Sequence, residues 1–275
     1  MAEKWYKRSY RRNLVDMHIE DWNDEFLSKL DVENYVSLLK KAKVQTAMVY
    51  ANSHVGLCYW PTENGTMHRG LKGKDFIGQM IKRFHEEDIS VVVYFSLIFD
   101  NKAYEQIENC RIINEAGQYI KENLWSRHRY GTCCPNSKEY RTYIFRHLRE
   151  LCSKYQFEGM FLDMTFWPTV CYCQSCRERY QNEVGGEIPR IIDWDDQKWI
   201  TFQKKREEWI TEFANTITKF IKNLRPELTV EHNDASALCD WGRAVSEELT
   251  NACDYAGGDS SLKYRHSNIT LQKTT

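Results

Sequence analysis

The chain has 275 residues, with 38 Lys and Arg against 39 Asp and Glu and a formal net charge of −1. That balance leaves no basic excess to collect phosphates, which argues against a nucleic-acid binder or a protein held by charge on an anionic membrane. With 42% hydrophobic and 28% charged residues, residues 1–275 read as one globular domain with a sizeable core.

In chain order, residues 13–19 (NLVDMHI) read as a short strand followed by a loop. Asp31 is placed to cap an amphipathic helix in VENYVSLLKKAK. A strand over 45–52 leads into an aromatic loop and then a helix over 74–88. The run 89–97 (ISVVVYFSL) is the continuous apolar, β-branched kind of strand that a sheet covered on both faces requires. It is too short to span a bilayer. A long excursion over 100–136 contains a helical stretch, after which a helix over 137–155 feeds the strand 158–164 (EGMFLDM). Beyond a cysteine-bearing segment, a long helix over 195–224 stops ahead of Pro226. Its Trp199, Phe202, Trp209, Phe213 and Ile217 form a core-facing stripe, while Lys204, Lys205 and Arg206, answered by Glu207 and Glu208, read as a solvated face. Strands over 228–233 and 252–259 complete the series. The start, MAEKWYKRSYRRN, has no apolar signal region. The expected compartment is therefore cytoplasmic, with reduced thiols.

Repeated strand-then-helix units predict a parallel sheet wrapped by helices. No Gly-rich phosphate loop follows any strand, and the strand ends carry polar and aromatic groups instead: Asp16, His18, Tyr50, His54, Tyr94, Ser96, Asp163, Glu231 and Asp259. Functional groups gathered from several strand ends are the habit of the (β/α)8 TIM barrel, and that is the predicted fold. About six units are legible where closure needs eight. Either two units hide in the excursions, or the barrel is truncated at its C-terminus and completed by further domains or by another copy in a homo-oligomer.

Asp163 is the leading catalytic candidate. Alternation in GMFLDM sends Gly159, Phe161 and Asp163 to one face, and an unpaired carboxylate after an apolar run is costly unless it lies at a solvated mouth. Its functional reading is a nucleophile forming a glycosyl intermediate; its bland reading is a cap or a salt-bridged strand end. The segment VYANSHVGLCYWPT supplies His54 as a donor and Trp60 as a flat ring for a sugar. That segment resembles the second-strand region of the family 29 α-L-fucosidases, VVVYFSL resembles their next strand, and EYRTYIFRHLRELCSKYQFEGMFLDM is similar to the helix and strand that end in their nucleophilic Asp. The matches run in order from Leu14 to Met164. The resemblance implies a retaining exo-glycosidase acting on a carbohydrate, with Asp163 as nucleophile, His18 and His54 on sugar hydroxyls and Trp60 on the ring. Tyr94 and Asp259 join the expected substrate-binding set, and Glu231 is the preferred acid/base with Asp259 as alternative. Val55 stands where those fucosidases commonly place an Asp.

CYCQSCRERY places Cys171, Cys173 and Cys176 as C-x-C-x-x-C. A closed tetrahedral zinc site needs a fourth ligand, and Cys133 or Cys134 can supply it, Cys134 being preferred. The segment is similar to the zinc loop of the family 42 β-galactosidases, which implies a structural zinc and no cofactor for catalysis. Those enzymes carry an Asn-Glu pair where this chain has Asp163-Met164. A β-galactosidase-like hydrolase and an inactive carbohydrate-binding barrel are the competing expectations.

Overall fold

The structure is a computed structural model and describes residues 4–121, 129–233 and 241–255. In chain order it contains α1 (Trp5–Arg8), β1 (Arg12–Leu14), α2 (Val32–Lys41), β2 (Thr46–Tyr50), β3 (Leu57–Cys58), β4 (Thr66–Met67), α3 (Phe76–Glu86) and β5 (Ser90–Ser96). Then come α4 (Asn101–Gln106), α5 (Lys138–Lys154), β6 (Gly159–Asp163), α6 (Gln174–Glu183), α7 (Gln197–Leu224) and β7 (Thr229–His232). Helix starts follow local chemistry. Asp31, Asp75, Ser137 and Asp196 each accept a hydrogen bond from a backbone N–H in the first turn of α2, α3, α5 and α7, satisfying donors the helix itself cannot.

The main sheet has five strands in the order β1-β2-β5-β6-β7, and every neighbouring pair is parallel. Spatial order therefore equals chain order, with no reversal. A doubly wound sheet reverses at a switch point, so this winding is that of the barrel, with five of its eight strands. The sixth expected strand is not formed by the described residues. Ala252 ends a 3-10 turn, although Asp254 lies along the outer edge of β7, donating its N–H to Val230 O at 2.8 Å. Likewise the first strand is shorter than expected, because the chain turns after Leu14 and Met17 O accepts from both Ile19 N and the Tyr59 hydroxyl. Among the described residues no helix is long and apolar enough to cross a membrane.

Register builds the inner face in rows. Tyr50, Tyr94, Phe161 and Glu231 are successive partners across β2, β5, β6 and β7. Tyr50 stacks on Tyr94 with ring centroids 3.8 Å apart, and Tyr94 on Phe161 at 5.7 Å. One row towards the strand ends, Ser96 pairs with Asp163, and Asn233 continues the row by donating its N–H to Leu162 O at 2.9 Å. One row down, a Cβ at Gly159 would meet Thr229 Oγ1 at 2.2 Å, so only glycine lets β6 and β7 approach there.

The apolar stripe of α7 is buried as expected, but Arg206 is not on a solvated face. It is 1% exposed. The guanidinium donates to Gln203 Oε1 at 2.7 Å and to the backbone carbonyls of Thr169, Trp241 and Gly242 at 3.3, 3.2 and 2.5 Å. The helix periodicity that buries Phe202, Trp209 and Phe213 buries Arg206 with them, and three carbonyls from the loops after β6 and β7 replace its water. Burial lowers its pKa to about 10. Replacing Arg206 by Met should cost about 2–4 kcal/mol, since the carbonyls lose a charged donor. A urea midpoint moved by less than the roughly 0.5 kcal/mol typical of surface positions would contradict this.

Candidate active site

Asp163 ends β6 and is only 4% exposed, so its oxygens need donors. Oδ2 accepts from the Tyr94 hydroxyl. Oδ1 accepts from Asn233 Nδ2 and from the backbone N–H of Met164, both at 2.8 Å. Met164 then turns with a positive φ of 62°, a conformation that a long side chain seldom adopts and that clusters at functional sites. The carboxylate is thereby aimed by three donors from β5, from the residue after β7 and from its own turn.

His54 lies beside the carboxylate, with Nε2 3.7 Å from Asp163 Oδ2. The Ser96 hydroxyl donates to Phe99 O at 2.8 Å, which leaves a lone pair for His54 Nδ1 at 2.7 Å. That network assigns the proton to Nδ1 and leaves Nε2 as an acceptor. Burial, His18 and Arg129 hold His54 well below the usual histidine range, so the ring is neutral. His18 stacks on it with centroids 3.9 Å apart. His18 Nδ1 accepts from His54 N at 3.3 Å while Nε2 lies 3.1 Å from Asp16 Oδ1. Burial lowers His18 to about 4 despite Asp16. Asp16 also accepts from the Tyr50 hydroxyl at 2.9 Å, and Tyr130 packs against both imidazoles.

The structure thus brings together His18, His54, Tyr94 and Asp163, but not every expected residue. Trp60 is fully enclosed and meets the His147 ring of α5 edge-on at 6.0 Å. It fills the space beneath the loop after β2, and its face is not open to a ligand. Glu231 faces inward but lies in the row of Phe161, not of Asp163, and it hydrogen-bonds Tyr255. Asp259 lies outside the described residues. Sequence reasoning missed Asn233, which the β6–β7 register places two residues beyond Glu231 and beside Asp163. It also missed Tyr130 and Arg129, the latter donating to His18 O at 2.7 Å, for which no sequence pattern gave a signal.

The cysteines form a second centre. The Sγ atoms of Cys134, Cys171, Cys173 and Cys176 all lie within 4.8 Å of one another, and all four residues are buried. Tetrahedral sulfur ligands about 2.3 Å from one metal ion stand ~3.8 Å apart. Burial pushes the Cys134 and Cys176 thiols well up, so four thiolates there require a cation. The donor set fits a soft divalent ion. Asn136 Nδ2 donates to Cys176 Sγ at 3.3 Å, and Asn136 Oδ1 is fixed by Arg179 at 2.9 Å. Cys133 is excluded from the group and faces Cys110, with sulfurs 3.4 Å apart. A groove of about 640 Å³ adjoins this centre at Cys173, runs between Arg111, Lys138 and α6, and is not lined by Asp163.

Comparison with known proteins gives the family and the fold. Residues 114–271 match the family 42 glycosyl hydrolase model, described as Beta-galactosidase, and residues 31–164 match that of Hypothetical glycosyl hydrolase 6. The first match spans more than half of the chain, which belongs to that glycosyl hydrolase family. Among solved structures, alpha-L-fucosidase isoenzyme 2 from Paenibacillus thiaminolyticus aligns with a TM-score of 0.72 and 22% identity, over 90% of this chain and 35% of its own. The polyextremophilic beta-galactosidase from Halorubrum lacusprofundi aligns at 0.65 and 12% identity, over 91% and 39%. The PgaB (BpsB) glycoside hydrolase domain from Bordetella bronchiseptica gives 0.67 and 13%, over 90% and 72%. These are likenesses of fold, and the chain spans little more than a third of the first two. No curated protein matches it.

The histidine shifts have a sign that can be checked. His18 at about 4 and His232 at about 3, both lowered by burial, stay neutral in the folded chain where an unfolded histidine titrates near 6.5. His54, His68 and His147 are lowered as well, whereas His85, held up by Glu158, and Asp100, raised by burial to about 7, act oppositely and offset part of the effect. Below 6.5 the unfolded chain binds protons the folded one refuses, so folding stability should fall as pH drops from about 6.5 towards about 4. Urea midpoints that stay level or rise over this window would contradict the neutral-ring assignment.

Proposed function

We propose that this chain is a retaining exo-glycosidase, α-L-fucosidase-like, in which Asp163 attacks the anomeric carbon. The observation supporting this is the buried Asp163 carboxylate at a strand end, oriented by Tyr94, Asn233 and Met164 N, with the His54 acceptor 3.7 Å away. Two adjacent acceptors, a carboxylate oxygen and an imidazole nitrogen, complement a ligand rich in hydroxyl donors. In the first step a carboxylate oxygen of Asp163 bonds to the anomeric carbon, the glycosidic C–O bond breaks, and the leaving oxygen takes a proton from a carboxylic acid. In the second, water attacks that carbon, gives its proton back to the same group, and releases Asp163. Glu231 is the proposed acid/base. It shares the inner face, and its side chain would have to span the two-residue offset from the Asp163 row, about 6.6 Å of strand. A β-galactosidase-like specificity is the second reading, supported by the family match over 114–271.

Asp163→Asn should reduce turnover of a nitrophenyl α-L-fucoside or β-D-galactoside by about a thousandfold or more, and a loss below about tenfold contradicts the nucleophile. Glu231→Ala should slow substrates with poor leaving groups more than activated aryl glycosides; equal losses would assign Glu231 to its Tyr255 contact alone.

We further propose that Cys134, Cys171, Cys173 and Cys176 hold a structural zinc that fixes the loop after β6 and takes no part in the chemistry. Zinc, when bound, supplies the charge that keeps four buried thiolates together. Protein purified without added metal should contain one equivalent, lost in Cys134→Ser and kept in Cys133→Ser. Retention in both variants, or absence of metal in the wild type, contradicts the assignment.

A further inference from the structure

A cluster of tryptophans at the head of α7 has no part in the site around Asp163. Trp199 is fully buried, with its ring 6.2 Å from Trp194 and 5.9 Å from Trp241. Trp194 and Trp241 are themselves 5.9 Å apart, with planes at 80°. Trp194 is 50% and Trp241 44% exposed, and Ile191 and Ile192, shortly before Trp194 in the chain, are exposed as well. Two half-exposed indoles in contact over a buried third are the kind of exposed apolar group that marks a binding surface. The Nε1–H of Trp199 finds no acceptor among the described residues.

Topology places the cluster on the catalytic side. Helix α7 leads down to the start of β7, so its first residues lie on the side where the strands end. Arg206 marks the level of the rim, because it bonds carbonyls in the loops that follow β6 and β7. Trp199 precedes it by about two helical turns, roughly 10 Å further out. Contacts lead back towards the site: Arg243 lies over Phe166 at 5.3 Å, Phe166 meets Phe99 at 6.0 Å, and Phe99 meets His54 at 5.4 Å. The tryptophans therefore stand above the face that carries Asp163, some distance to one side of it.

We propose that Trp194 and Trp241 form an outlying saccharide-binding platform, which holds a sugar unit on the leaving-group side while the terminal unit lies against Asp163. The proposal rests on the glycosidase reading. A pyranose presents a face of C–H groups that packs on an indole, and its rim of hydroxyls needs acceptors. Asp193 and Asp195, both exposed on the same turn, supply them. The same carboxylates argue against a protein partner, since the buried centre of a protein interface is depleted in charge.

The test compares fucosyllactose with nitrophenyl α-L-fucoside in Trp194→Ala, Trp241→Ala and Trp194→Phe. For fucosyllactose, each Ala variant should raise KM about fivefold or more with kcat within about twofold, and Phe should restore most of the loss. The aryl glycoside, which has no second sugar, should keep its KM. The proposal is overturned if both substrates lose equally, if neither changes, or if the variants alter the sedimentation coefficient in place of KM. Should the wild type hydrolyse neither compound nor a nitrophenyl β-D-galactoside, the glycosidase reading fails, and the platform is read by tryptophan fluorescence instead. A saturable change with fucosyllactose or galactotriose that Trp194→Ala abolishes supports it; no saturable change overturns it.

Discussion

A carboxylate almost closed off from water has to be satisfied by neighbouring donors, and that requirement at Asp163 governs how the strand ends are assembled. The donors come from β5, from the residue beyond β7 and from the Met164 turn, so the three-strand register must bring Tyr94, Asp163 and Asn233 to one face. A one-residue slip of either neighbour would send its donor to the outside and leave a buried charge short of a partner. Glycine at 159 is the packing counterpart, since a Cβ there would run into Thr229 of β7. The register and the site are one constraint.

Much of the frame was legible in the sequence because it is local. Periodicity marks the helices and Asp31 reads as a cap, and the structure adds caps at Asp75, Ser137 and Asp196, where a side-chain oxygen meets a free backbone N–H. The β-branched run of β5 and the apolar run of β6 mark strands buried on both faces. What was not legible depends on register and on which neighbour covers a residue. Glu231 and Asn233 look equally like strand-end polar groups, and only pairing with β6 shows that Asn233 reaches Asp163. Trp60 reads as a ring awaiting a sugar because a sequence does not show that α5 encloses it. Arg206 sits in a charged run, yet its phase on α7 buries it. Adjacent Cys133 and Cys134 differ only in the side they face, which sends one to Cys110 and the other to the four-sulfur group.

The loop after β6 connects the two centres. It begins with the Met164 turn that donates to Asp163 and passes the Thr169 carbonyl held by Arg206. It then delivers Cys171 and Cys173 to the sulfur cluster. Trp167 fastens it further, donating its indole N–H to Arg206 O and its backbone N–H to Arg243 O. A long loop gains rigidity only where something buried holds it, and here the helix α7 and the cysteines do so at successive points. That arrangement would let the proposed metal hold the loop near Asp163 without entering the proposed chemistry.

The most direct measurement is the identity of the covalent intermediate. A fluorinated glycosyl fluoride of the sugar that is turned over forms the glycosyl–enzyme quickly and releases it slowly, so the labelled peptide can be read by mass spectrometry. One sugar per chain is expected, bonded to the Asp163 carboxylate within the peptide that contains GMFLDM. Labelling of Glu231 or any other carboxylate instead, or rapid turnover to a product of inverted configuration with no adduct, would contradict it.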